Sequence, residues 1–179
     1  MSLREHFDLL ATYNEWMNAK VYEAAARLVP AELHADRGAF FGSLYDTLNH
    51  LAVGDTIWLR RFRAHPTGFA VLDPVEQGPA PTTLDERLFS DFGSLWQYRR
   101  QLDALIRRFA ASLTDTDLNQ VLVYANTKGV ESRKRFDQLL LHFFNHQTHH
   151  RGQATTLLFQ AGQDVGVTDL LVQIPNVIS

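Results

Sequence analysis

Four of the eight histidines fall in one short run, His142-Phe143-Phe144-Asn145-His146-Gln147-Thr148-His149-His150. Imidazole titrates near neutral pH, so a neutral ring can ligate a divalent metal and a charged one can move a proton. Successive helical residues are rotated by about 100°, which puts His150 about 40° from His146. On that wheel Leu139 and Leu157 lie about 20° from His146, Phe143 and Ala161 about 60°, and Ala154 about 80°. His146 and His150 therefore lie within or beside the apolar stripe, whereas His142 and His149 fall off its edge. Side chains at i and i+4 are neighbours, so two imidazoles one turn apart can converge on one ion. A helical histidine pair in metalloproteases carries a glutamate between its members. Gln147 stands there instead, which excludes that reading.

A third ligand would complete a site, and His50 is the candidate, within Leu48-Asn49-His50-Leu51-Ala52-Val53-Gly54-Asp55. Periodicity gives it weak support. Leu44, Leu51, Trp58 and Phe62 share one stripe, and His50 sits about 120° from its centre. On spacing alone it reads as a partly exposed structural histidine. Gly54, one turn on, leaves space beside His50 at some expense in helix stability. Asp55 lies inside the Leu/Trp stripe, where an unpaired carboxylate would be costly. It could orient a ligand histidine, but a buried bond to a tryptophan or an arginine is the preferred reading. Asn14 and Tyr13 in the first helix are read with the same caution, and His149, Arg151 and Gln153 receive no catalytic role.

The elements that must carry these residues are helices. From Arg4 to Leu28, Phe7, Leu10, Ala11, Met17, Val21, Ala24, Ala25 and Leu28 share a broad stripe that also contains Asn14. A second helix opens at Ser43, whose spacing to Asp46 resembles a capping box, and stops before Pro66. Four of the six prolines, Pro66, Pro74, Pro79 and Pro81, mark residues 66–82 as a long crossover. A third helix is expected from Thr83 to about residue 113, with Asp85 and Glu86 in its first turn. Val121-Leu122-Val123-Tyr124, followed by Asn126-Thr127-Lys128-Gly129, predicts a small hairpin. The fourth helix is expected from about Arg135 to Ala161, ended by Gly162. The fold class is all-α, with four helices of useful length in a single domain over residues 1–179.

Bulk composition narrows the function. The 179 residues carry 17 basic and 20 acidic side chains, a formal net charge of −3. That balance lacks the basic surplus of a phosphate-backbone binder, so no nucleic-acid partner is expected. The absence of cysteine excludes disulfides, thiolate metal sites and a cysteine nucleophile. No apolar stretch approaches the roughly 18 residues of a membrane span, and the first residues show no apolar core of a signal peptide. No membrane association is expected, and cytoplasmic residence is the default.

Tyr13-Asn14-Glu15-Trp16, Asn49-His50-Leu51 with Asp55 and Trp58, and above all His146-Gln147-Thr148-His149-His150-Arg151-Gly152-Gln153 resemble the motifs of the DinB/YfiT-like family of metal-binding bundles. They come in the family's order over nearly the whole chain, with the crossover and hairpin in place. The resemblance implies a four-helix bundle of up-down-down-up topology, often a homodimer. It implies one divalent metal ion, nickel or zinc, held by His50, His146 and His150, and so promotes His50 above its standing on periodicity. It gives no reason to expect DNA binding.

Three neutral imidazoles leave coordination positions open, as in catalytic zinc sites. Such an ion lowers the pKa of bound water or holds an external thiol as thiolate. Some family members resemble low-molecular-weight thiol transferases, which makes a metal-dependent thiol S-transferase the first expectation. Alternatives are a metal-dependent hydrolase or isomerase, and a non-enzymatic, stress-related metal-binding or dimerisation protein. A di-iron carboxylate protein would need Glu-x-x-His pairs, and none is present.

Overall fold

Helix α1 (Leu3–Ala25) starts at a complete capping box: Ser2 Oγ accepts from the Glu5 amide, and Glu5 accepts from the Ser2 amide. The computed structural model describes residues 2–177. A single turn, α2 (Pro30–Leu33), precedes α3 (Leu44–Arg63), which Ser43 caps by accepting from the Asp46 amide at 3.1 Å. Helix α4 (Phe92–Ser112) is capped by Asp91, whose carboxylate accepts from the Ser94 amide at 2.8 Å. A short turn, α5 (Asp115–Leu118), leads into β1 (Val121–Ala125) and β2 (Glu131–Arg135). The strands pair antiparallel, from Val121 opposite Arg135 to Ala125 opposite Glu131. Their turn is held by Asn126 Oδ1, which accepts from the amides of Lys128 and Val130, and by Gly129 at φ 76°. Helix α6 (Phe136–Gln160) follows, and Gly162 at φ 75° ends it as expected.

The protein is mostly helical with this one small sheet. Four long helices share the core, with α1 and α3 each packed against both α4 and α6. Contacts fix their directions. Phe7 meets Phe144 and Arg27 meets Gln163, so α1 and α6 run the same way. Asp55 meets Arg99 and Phe62 meets Phe109, so α3 and α4 also run together. Helices α3 and α6 oppose one another, with His50 beside His150 and Phe62 beside Phe136. Among the described residues no helix is long and apolar enough to cross a membrane.

The third long helix begins at Phe92, nine residues after the expected Thr83. Side chains of α3 account for the difference, because they take the polar groups a helix would have used. Asn49 donates to Glu86 O and accepts from the Leu88 amide, at 2.8 and 2.9 Å. Tyr45 Oη donates to Phe89 O, and Arg87 pairs with Asp46. Glu86 meanwhile accepts from Thr82. Residues 84–89 are thus pinned as a turn and irregular backbone along α3, and the crossover is longer than its prolines suggest. That pinning places one carbonyl, Leu84 O, beside His50.

Candidate metal centre

Helix α3 is enclosed on all sides over its central turns, and every residue from Thr47 to Ile57 is buried. His50 is accordingly 5% exposed, not the partly exposed histidine that periodicity suggests. A one-stripe reading fails on a helix with neighbours on every face. His146 and His150 lie on α6 at the edge of its buried face, half-buried, and His142 and His149 are exposed. The wheel separated these two pairs correctly.

The ligand nitrogens of His50, His146 and His150 lie within 4.8 Å of one another. His50 Nε2 and His146 Nε2 are 3.3 Å apart. Two imidazole nitrogens about 2.0–2.1 Å from a tetrahedral zinc ion would be separated by about 3.3 Å. The remaining nitrogens are oriented from outside. His50 Nδ1 lies 2.9 Å from Leu84 O, which can only accept, so Nδ1 carries the hydrogen and Nε2 presents its lone pair. His150 Nδ1 lies 2.8 Å from Gln153 Oε1, with the Gln153 amide nitrogen towards His149. Phe41 stacks on His50 at 4.0 Å between centroids and meets His150 edge-on. The donor set fits a divalent ion of intermediate softness.

Electrostatics keep all three rings neutral. Burial lowers the His146 pKa to about 3, reinforced by the charge that His150 and His50 would carry. Burial also lowers His50 and His150, with the bonds to Leu84 and Gln153 pulling partly back. A neutral imidazole is the form that binds metal, so protons offer little competition at neutral pH.

Gly54 serves a different neighbour from the one expected. A Cβ there would lie 2.9 Å from His146 Cε1, so its missing side chain admits the His146 ring across the α3–α6 contact. Asp55 points into the core and pairs with Arg99 at 2.5 Å, the arginine alternative of the sequence reading. Gln147 Nε2 donates to the same carboxylate at 2.8 Å. Asn18 and Asn14 donate to Asp103, which also pairs with Arg99, and Arg151 donates to Asn14 Oδ1. Arg99 and Asp103 were not singled out from sequence, Gln147 was read only as the residue in place of a protease glutamate, and Arg151 was given no catalytic role. Spacing held a signal: Arg99 lies four residues after Leu95 and three before Leu102, inside the apolar stripe of α4.

Fold and site together define a class: a mostly helical protein whose buried α3 and neighbouring α6 bring three imidazoles together without cysteine or carboxylate. The chain belongs to the DinB family, whose profile matches residues 1–175. It is 27% identical over 161 residues to Protein DinB of Bacillus subtilis (strain 168), covering 89% of this chain and 88% of that protein. No solved structure gives a significant match.

Proposed function

We propose that this chain binds one divalent cation, nickel or zinc, through His50, His146 and His150, and works as a metal-dependent enzyme on a low-molecular-weight thiol. The observation that carries the metal is the convergence of three neutral imidazole nitrogens within 4.8 Å. Two of the rings are held from behind by oxygen acceptors. When bound, such an ion supplies an activated water or an external thiolate at its open positions. The thiol must come from outside, because the chain has no cysteine. Imidazole ligands alone do not separate nickel from zinc, and cellular availability decides.

The scaffold in this reading is a single-domain, four-helix bundle of up-down-down-up order, supported by the helix directions given above. A cytoplasmic homodimer belongs to the same reading and is tested by light scattering. The enzyme reading is favoured over a non-enzymatic binding protein by an open groove lined by Gln153, the residue that holds His150. Metal analysis of the native protein should find about one nickel or zinc per chain, and His146→Ala should lose it. Stoichiometric metal retained by that variant would sink the ligand assignment. A thiol-transfer screen with and without the metal then separates enzyme from binding protein, since turnover without metal contradicts a metal-dependent enzyme.

A further inference from the structure

We infer that the groove between α6 and the loop from Arg37 to Phe40 receives a small anionic molecule on its way to the proposed metal, with Arg37 as its anchor. This rests on the metal reading above. The groove has a volume of about 430 Å³, and Arg37, Phe40, His149, Gly152, Gln153 and Thr156 are among its walls. A space of that size suits a small organic molecule. None of the three ligand histidines lines it, but it adjoins their cluster through shared residues. Gln153 both lines the groove and holds His150 Nδ1, and Phe41, next in the chain after Phe40, stacks on His50.

Two helical glycines show why the groove is more than a surface irregularity. Gly54 lacks a side chain because His146 occupies the place. At Gly152 a Cβ would meet nothing within 4 Å, and the backbone there is ordinary α6 helix. Glycine in a helix interior is destabilising relative to alanine, and here neither packing nor backbone geometry requires it. What its absent side chain does is leave the groove open, one turn along α6 from Thr148 and two residues from His150.

The charge of the wall sets the ligand class. Arg37 is held by Glu32, while its Nε–H is buried without a protein acceptor. An unsatisfied guanidinium N–H is costly unless a ligand or water supplies the acceptor. Phe40, 85% exposed, offers an apolar face on the same loop. A carboxylate-bearing small molecule with an apolar portion matches both.

Cobalt(II)-loaded full-length protein tests this, because a thiolate binding the ion gives a charge-transfer absorption that can be titrated. The probes are mercaptosuccinate, which is anionic, and 2-mercaptoethanol, which is neutral. Arg37→Met should weaken mercaptosuccinate about tenfold, the scale of one charge-assisted hydrogen bond, and leave 2-mercaptoethanol unchanged. Gly152→Leu should weaken both thiols, and Gly152→Ala less so, with no fall in melting temperature. Full cobalt content with unchanged thiol affinities in Arg37→Met and Gly152→Leu would overturn the groove alone. A wild-type chain that takes up no cobalt overturns the metal reading before any thiol is added, and the groove's role with it. If Arg37→Met perturbs its loop, the graded glycine series still decides.

Discussion

Gly54 and Asp55 are neighbours on α3, and His146 and Gln147 are neighbours on α6, yet the two pairs belong to regions of opposite character. Gly54 and His146 belong to the histidine cluster, which contains no carboxylate and adjoins a groove through Gln153. Asp55 and Gln147 belong to a buried network in which two arginines, Arg99 and Arg151, are balanced by two aspartates, Asp55 and Asp103. Burial raises both carboxylates, Asp103 to about 6, while the same carboxylates hold Arg99 firmly charged. One region keeps its lone pairs for a ligand from outside. The other pairs its charges internally, and through the Gln147–Asp55 bond it fixes how α3 lies against α6. The Gln147–Asp55 bond sits one residue from the Gly54–His146 contact, so the second region sets the register that the first requires.

The largest expected effect comes from breaking the internal region. Asp55→Ala removes one of the two carboxylate partners of a fully buried arginine, and the acceptor of Gln147. Loss of one partner of a buried pair costs about 3–5 kcal/mol, which urea denaturation of metal-free protein would read directly. A cost below about 1 kcal/mol, typical of an exposed pair, would mean that apolar packing alone sets the register.

How much of each region was legible in sequence follows from this contrast. The His146/His150 pair could be read because α6 has one exposed side, and a wheel separates its faces. Gly162, the hairpin and the Ser43 cap could be read because their signals are local. His50 could not be read from spacing, because α3 is enclosed on every side; only family motifs promoted it. The start of α4 was misplaced because Asn49 and Tyr45, 37 to 44 residues away, capture the backbone of residues 86–89. Asn14 and Asp55 stood out as polar residues in apolar stripes, but the arginine partner could not be chosen without the packing of α4 against α3.

Acid should separate the regions by sign. The folded His146 pKa is depressed to about 3 from an ordinary 6.5, so its contribution is fully present above about pH 6.5 and is lost as pH falls towards 3. His50 and His150 shift in the same direction. Asp103 is raised instead, so its contribution is present near pH 4 and is lost as pH rises through about 6. Metal-free wild type should therefore lose stability relative to His146→Ala between pH 6.5 and 4. Parallel stability curves for the two proteins would contradict a buried, neutral His146.

Gly54→Ala sharpens the comparison at the point where the regions touch. The added methyl meets the His146 ring at 2.9 Å, so the ring must shift by a few tenths of an ångström. Alanine is about 1 kcal/mol better than glycine in a helix, which offsets strain in the metal-free protein. Metal affinity has no such compensation and should fall by up to about 100-fold, the upper end for disturbing how a ligand ring is oriented. Calorimetric titration with nickel or zinc beside a melting curve distinguishes the two effects. Equal loss of stability and affinity would mean that the cluster and the fold are not separable here.

The smallest expected effect concerns Gln153, which touches the site without being part of the core. It accepts from His150 Nδ1 at 2.8 Å and faces the groove, while His50 has a backbone carbonyl in the equivalent place. Gln153→Leu removes the acceptor and leaves the ring free to turn. Metal affinity should drop about tenfold, the lower end for losing a group that orients a ligand histidine, with no measurable change in stability. Gln153→Glu restores an acceptor and should recover the affinity. If neither variant alters metal binding, His150 is oriented by Phe41 and the helix alone, and the amide belongs to the groove rather than to the metal.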